Sequence, residues 1–294
     1  MKKILKNVAI LLFVILMLFI LSGCKNEKEE KNILEEKVKN EIEYLDSKIV
    51  SMLNSINNIS YQNYKVSTEE IELDKNSGQS GEQTATSDES GQKDKGEQGE
   101  SQENSGKNEI INKSEMSYSS ILNAQNEEIN WDIIKSDIEV LHSTWNTIVI
   151  DLEKKEGNQE SITNFGKELD NTTILIKEQK KPESLIGLAK MYSYLPTFLE
   201  DENEDTVINI KKVKVHVLNA YSLVETENWN QVKDEINQAV DIFNTYRKNE
   251  KREDIFNLEK TGIALKELQN SVDLRDKQVF YIKYRNSIEQ LGIL

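Results

Sequence analysis

From Asn130 to Ile148 the chain reads NWDIIKSDIEVLHSTWNTI, and from Asn228 to Tyr246 it reads NWNQVKDEINQAVDIFNTY. In the first stretch Trp131, Ile134, Ile138, Leu141, Trp145, Ile148 and Leu152 recur in steps of three and four, the seam of an amphipathic helix. The second stretch carries its seam in register at Trp229, Val232, Ile236, Ala239, Phe243 and Tyr246. All three tryptophans of the protein lie on these seams. A helix with one apolar face must bury that face against other helices, so the pattern predicts an all-α bundle.

Each stretch opens with Asn in the N-cap position, and Gln231 stands at capping-box spacing after Asn228. Lys154, Lys155 and Gly157 suit the end of the first Asn-Trp helix. A third helix is expected over about 159–180, on Ile162, Phe165, Leu169 and Ile176. Pro182 opens a fourth that uses Leu185, Leu188, Tyr192 and Leu195, and Pro196 should stop it. The segment 206–226 is ambiguous: Val213, Val215 and Val217 alternate as in a strand, whereas Val207, Ile210, Val217, Tyr221 and Val224 keep helical spacing. Helix is the expectation, because a lone strand has no partner. Further helical patterns cover 254–272 and 275–290. The order helix, Asn-Trp helix, helix, helix thus occurs twice, Leu122-Asn123-Ala124 and Leu218-Asn219-Ala220 preceding the two copies. This suggests an internal duplication of a unit of about 90 residues, 109–200 and 201–294.

Ahead of these units lie three other regions. Residues 27–58 predict a long helix, with Leu34, Val38, Ile42, Leu45, Ile49, Met52 and Ile56 on one stripe. It fits a coiled-coil seam or an ordinary bundle helix, either as a stalk or folded back onto the body. Packing on the body is the expectation, because a lone helix cannot bury its apolar face. The pattern loosens from Ile59 to Leu73, an extended segment by this reading, which closes the region 24–73. Residues 74–108 hold six of the twelve glycines and Ala85 as their one hydrophobic residue, the composition of a disordered linker. Outside the leader and the linker only Pro182, Pro196 and five glycines remain, too few turn residues for a β-rich domain of this length.

Residues 1–23 have the layout of a secretory signal peptide. Lys2, Lys3 and Lys6 precede an apolar run from Val8 to Leu21, followed by the small residues Ser22 and Gly23. That run would span about 21 Å as a helix, short of a hydrocarbon core of roughly 30 Å. Leu21-Ser22-Gly23-Cys24 resembles the lipobox of bacterial lipoprotein precursors, and Cys24 is the only cysteine in the chain. The resemblance implies cleavage before Cys24, acylation of its sulfur and attachment to the outer face of the cell membrane through the acyl chains. It covers the leader only. Cleavage removes Lys2, Lys3 and Lys6 from 37 basic residues, leaving 34 against 52 acidic ones and a formal charge of −18. So acidic a body repels phosphate backbones, which disfavours nucleic acid and favours a neutral or basic protein partner. An acylated Cys24 leaves no disulfide, Cys nucleophile or thiolate metal site.

Chemistry-bearing motifs are sparse. Glu139 and His142 form one Glu-x-x-His, half of a di-iron ligand set, but Val213 stands three before the other histidine, His216. Asp201, Asn203 and Asp205 start like a calcium loop, which then carries Thr206 for glycine and Lys212 for glutamate. His142 with Met191 makes no haem signature, serine and threonine nucleophiles lack an identifiable base, and no glycine-rich phosphate loop occurs. The reading is therefore a lipid-anchored, extracytoplasmic, non-catalytic protein-binding or scaffold module with no cofactor. The alternative is a solute- or cation-binding lipoprotein with an acidic cleft between the two helical units.

Overall fold

The structure, a computed structural model, describes residues 2–59, 121–122, 128–199, 205–249 and 255–294, with the backbone alone at 2–28, 205 and 249. The segments expected as extended (59–73) and as linker (74–108) lie outside these residues, apart from Ile59. Among the described residues there are eight α-helices and no strand: α1 Lys2–Ile56, α2 Trp131–Lys154, α3 Gln159–Lys177, α4 Lys181–Tyr192, α5 Asp205–Leu223, α6 Trp229–Asn249, α7 Ile255–Val272 and α8 Lys277–Leu291. Short 3₁₀ turns follow α4 at Leu195–Phe198 and α5 at Val224–Thr226. The all-helical expectation holds, and 206–226 is helical.

The helix ends follow the local chemistry. Asn130, Asn158 and Asp276 each accept a hydrogen bond from the backbone N–H three residues on. Asn228 accepts from Gln231 N at 3.5 Å and donates its amide to Gln231 Oε1 at 2.7 Å, so the expected box closes through side chains. At the end of α2 the left-handed residue is Glu156, with φ 58°, rather than Gly157. Gly157 N then bonds Leu152 O and Glu156 N bonds Glu153 O, a Schellman closure. Pro196 sits inside the 3₁₀ turn, and α4 has already ended at Tyr192.

The helices pack as two rings of four. In the first, α1 meets α2, α2 meets α3, α3 meets α4, and α4 returns to α1. In the second, α5, α6, α7 and α8 follow one another in the same way, and α8 returns to α5. Helix α4 packs on α5, and the Leu195–Phe198 turn touches both α1 and α5. The long N-terminal stripe is therefore core: Val38, Ile42, Leu45, Ile49, Met52 and Ile56 are fully buried. Helix α1 precedes α2 in this ring; Asn123 and Ala124 of the helix expected ahead of the first Asn-Trp stretch lie outside the described residues. Helix α5 lies against α4, α6 and α8, so it buries a wide arc that takes in Ile210, Val213, Val217, Leu218, Ala220 and Tyr221. No narrow stripe survives such burial, which explains why its sequence reads two ways.

The tryptophans divide. Trp145 is 6 % exposed and lies 4.1 Å from the Phe165 ring, with Phe198 at 5.8 Å. Trp131 and Trp229 stand in the first turn of their helices, where the ring of helices ends, and are half-buried. One indole is thus an interior anchor and two are edge packing.

Candidate functional site

Charged and phenolic groups run through the contact between the two rings. Asp46 of α1 is 4 % exposed and accepts from Lys211 Nζ at 2.7 Å and Lys214 Nζ at 3.2 Å, both from α5. Glu43 adds a second carboxylate to Lys211 at 2.8 Å. Burial pushes the Asp46 carboxyl up, but the charges of Lys214 and Lys211 outweigh it and hold the group below the usual aspartate range. Beside it the Tyr192 hydroxyl is buried without a hydrogen-bond partner among the described residues, and burial and then Asp46 push its pKa up. Further along, Asn57 Nδ2 donates to Tyr221 OH at 2.7 Å and Tyr221 OH donates to Leu53 O at 3.1 Å. Tyr284 stacks on Tyr221 with ring centroids 4.1 Å apart and donates to Asn54 Oδ1 at 3.0 Å. At the far end Tyr281 donates to Glu225, which also pairs with Lys181 and Lys277. Charges here are matched within the network: Asp46 is closed off from solvent, and Glu43 forms the half-exposed edge of the cluster. Its chemistry is that of a lock on the register of the two halves.

A second cluster ties α1 to α2 and borders solvent. The Lys37 ammonium bonds Asp151, which is 2 % exposed and also takes Lys154 at 3.0 Å. Lys48 reaches Asp137 at 2.8 Å further along the same pair of helices. Those two cross-links run in opposite directions along the chain, so α1 and α2 are antiparallel. Glu41 approaches Lys37 at 3.7 Å and leaves its Oε2 buried without a hydrogen bond among the described residues. Burial, and then the Asp151 charge, push the Glu41 carboxyl above the usual glutamate range, whereas the Lys37 hydrogen bond holds Asp151 below the aspartate one. Over this cluster lies an open furrow of about 460 Å³ lined by Lys37, Asn40, Glu41, Tyr44, Ser143, Thr144, Thr147 and Ile148.

The residues singled out in the sequence are scattered. His142 bonds Thr173 Oγ1 at 2.8 Å, and His216 bonds Glu235 at 2.7 Å, each on a different ring. No group of three His, Cys, Asp or Glu side chains among the described residues is arranged to hold a metal. Asp201 to Glu204 lie outside the described residues, as does the side chain of Cys24. Sequence reasoning missed Asp46 and Lys211. The available signal was a charge beside the seam of each helix, next to Leu45 in one case and Ile210 in the other.

No protein-family model, no curated protein and no solved structure matches this chain.

Proposed function

We propose that the chain is a lipoprotein held at the outer face of the cell membrane by acyl chains on Cys24. Its helical body then serves as a non-catalytic protein-binding or scaffold module for a neutral or basic partner. The observation that carries the anchor is positional: the single cysteine stands at the lipobox position, behind a charged and apolar leader. Val38, the first fully buried residue among the described side chains of α1, follows it by fourteen residues, about 21 Å of helix. An anchor at Cys24 therefore keeps the body close to the bilayer. Among the described residues no helix is long and apolar enough to cross a membrane. Cys24→Ala should move the protein from the membrane fraction to the soluble or unprocessed one. Unchanged fractionation defeats the anchor. Pull-down from detergent-solubilised membranes tests the partner, and a chain recovered alone in every such assay counts against the scaffold reading.

The two rings also fit descent from one duplicated unit. Gly166 of α3 and Gly262 of α7 occupy matching places: a Cβ on the first would lie 3.4 Å from the Trp145 indole nitrogen, and one on the second 3.4 Å from the Phe243 ring. Trp145 and Phe243 are themselves matching seam positions. Buried residues of α1 pair in one register with those of α5 and the turn that follows it, Leu45 with Val213, Ile49 with Val217, Met52 with Ala220 and Ile56 with Val224. The cation-binding alternative needs an acidic cleft between the units. Lys211 and Lys214 neutralise Asp46 there, and stacked tyrosines fill the contact, so that reading draws no support from this region.

A further inference from the structure

The furrow between α1 and α2 has the chemistry of a site for a neutral, polyhydroxylated ligand. Its volume of about 460 Å³ falls within the roughly 300–1,000 Å³ of small-molecule sites. Charge does not dominate it. Lys37 is engaged by Asp151 and Glu41, and the buried Oε2 of Glu41 faces away from solvent. What remains open is a set of neutral donors and acceptors: the Asn40 amide and the Ser143 and Thr147 hydroxyls, none bonded to a described residue. Thr144 donates to Val140 O and keeps its lone pairs. Hydroxyls and an amide that both donate and accept match the hydroxyls of a sugar, which do the same. Tyr44, 39 % exposed, stands in the wall of the furrow, and an aromatic ring can take the C–H side of a pyranose.

The second ring lacks this set. At the corresponding positions of α5 and α6 stand Ile208 for Asn40, Lys212 for Tyr44, Asp241 for Ser143 and Ile242 for Thr144. Two of these fill a furrow and two charge it. Thr245 stands at the position of Thr147, so the second ring keeps that hydroxyl, and what sets the first ring apart is Asn40, Tyr44 and Ser143.

We infer that the α1–α2 furrow, with Tyr44 as platform and Asn40, Ser143 and Thr147 as hydrogen-bonding groups, binds a neutral oligosaccharide. The inference does not depend on the anchor, since the furrow belongs to the folded body. Titration calorimetry on the full chain, in a detergent without a sugar headgroup, tests it with maltotriose, cellotriose and triacetylchitotriose. Saturable binding of at least one is expected, weakened about tenfold or more by Tyr44→Ala and largely restored by Tyr44→Phe, with Thr147→Val giving a smaller loss. All three variants alter exposed positions, so unchanged melting temperatures will separate lost binding from lost fold. No binding of any of the three up to about 10 mM overturns the inference. So does binding that Tyr44→Ala leaves intact, or saturable uptake of spermidine or citrate in preference to the sugars.

Discussion

Asp46 shows what a single side chain contributes here. It lies beside the α1 seam, next to Leu45, and its carboxylate is tolerable only because two ammonium groups come from α5. Asp46→Asn leaves the buried Lys211 with only the half-exposed Glu43, and removing one partner of such a pair costs about 3–5 kcal/mol. Chemical denaturation measures this, and a loss under about 1 kcal/mol would mean the lysines reach water instead. Glu41 works in the other direction. Its pKa is raised, so ionising it costs the folded state more than the unfolded one, a penalty that sets in as pH rises above the ordinary glutamate value of 4.5. Glu41→Gln should therefore raise the melting temperature at about pH 7 and gain little at about pH 4. Equal gains at both would show the carboxyl to be unperturbed. Trp145→Ala removes an indole packed between Phe165 and Phe198, and should destabilise by about 3–5 kcal/mol.

Several helices among the described residues are closed by a left-handed residue that is not glycine. Asn58, Glu156, Gln179, Glu227 and Arg275 all have positive φ, and only asparagine among them tolerates it well. The reason is the scarcity of glycine noted in the sequence: turns must form where no glycine stands. Gln179, between α3 and α4, has φ 56°, and Gln179→Gly should stabilise by about 0.5–1 kcal/mol in thermal unfolding. No gain would mean that the side chain offsets the strain by contacts of its own. The same pair of helices limits Gly187. A Cβ there would lie 2.4 Å from Thr172 Oγ1, whose β-branched side chain cannot swing clear, so Gly187→Ala should cost about 1–3 kcal/mol. At this scale the sequence was legible. Seams, caps and the Pro182 start were readable from spacing, whereas the left-handed closures were not, because nothing in Glu156 or Gln179 announces a positive φ.

For the molecule as a whole, acid is the condition that should open it. Asp46, Asp151 and Glu225 all have pKa values lowered by their lysines. Each contributes stability that is present above its ordinary unfolded value and is lost as pH falls through the lower folded one. Unfolding free energy should therefore drop below about pH 4, and a flat profile there would mean that the ion clusters carry little. Removing 74–108 should leave the melting temperature nearly unchanged, since so polar a tract has almost no apolar surface to bury.

The sequence by itself determined helix positions, faces and starts, because these follow from spacing and capping over a few residues. It also set the acid excess and the place of the one cysteine. Only the tertiary structure decided that α1 closes the first ring, that Asp46 meets Lys211 and Lys214, and that a hydroxyl-lined furrow opens beside Tyr44. Those residues come from helices separated by long stretches of chain. Which faces meet is fixed by packing the whole core at once, and no local pattern encodes that choice.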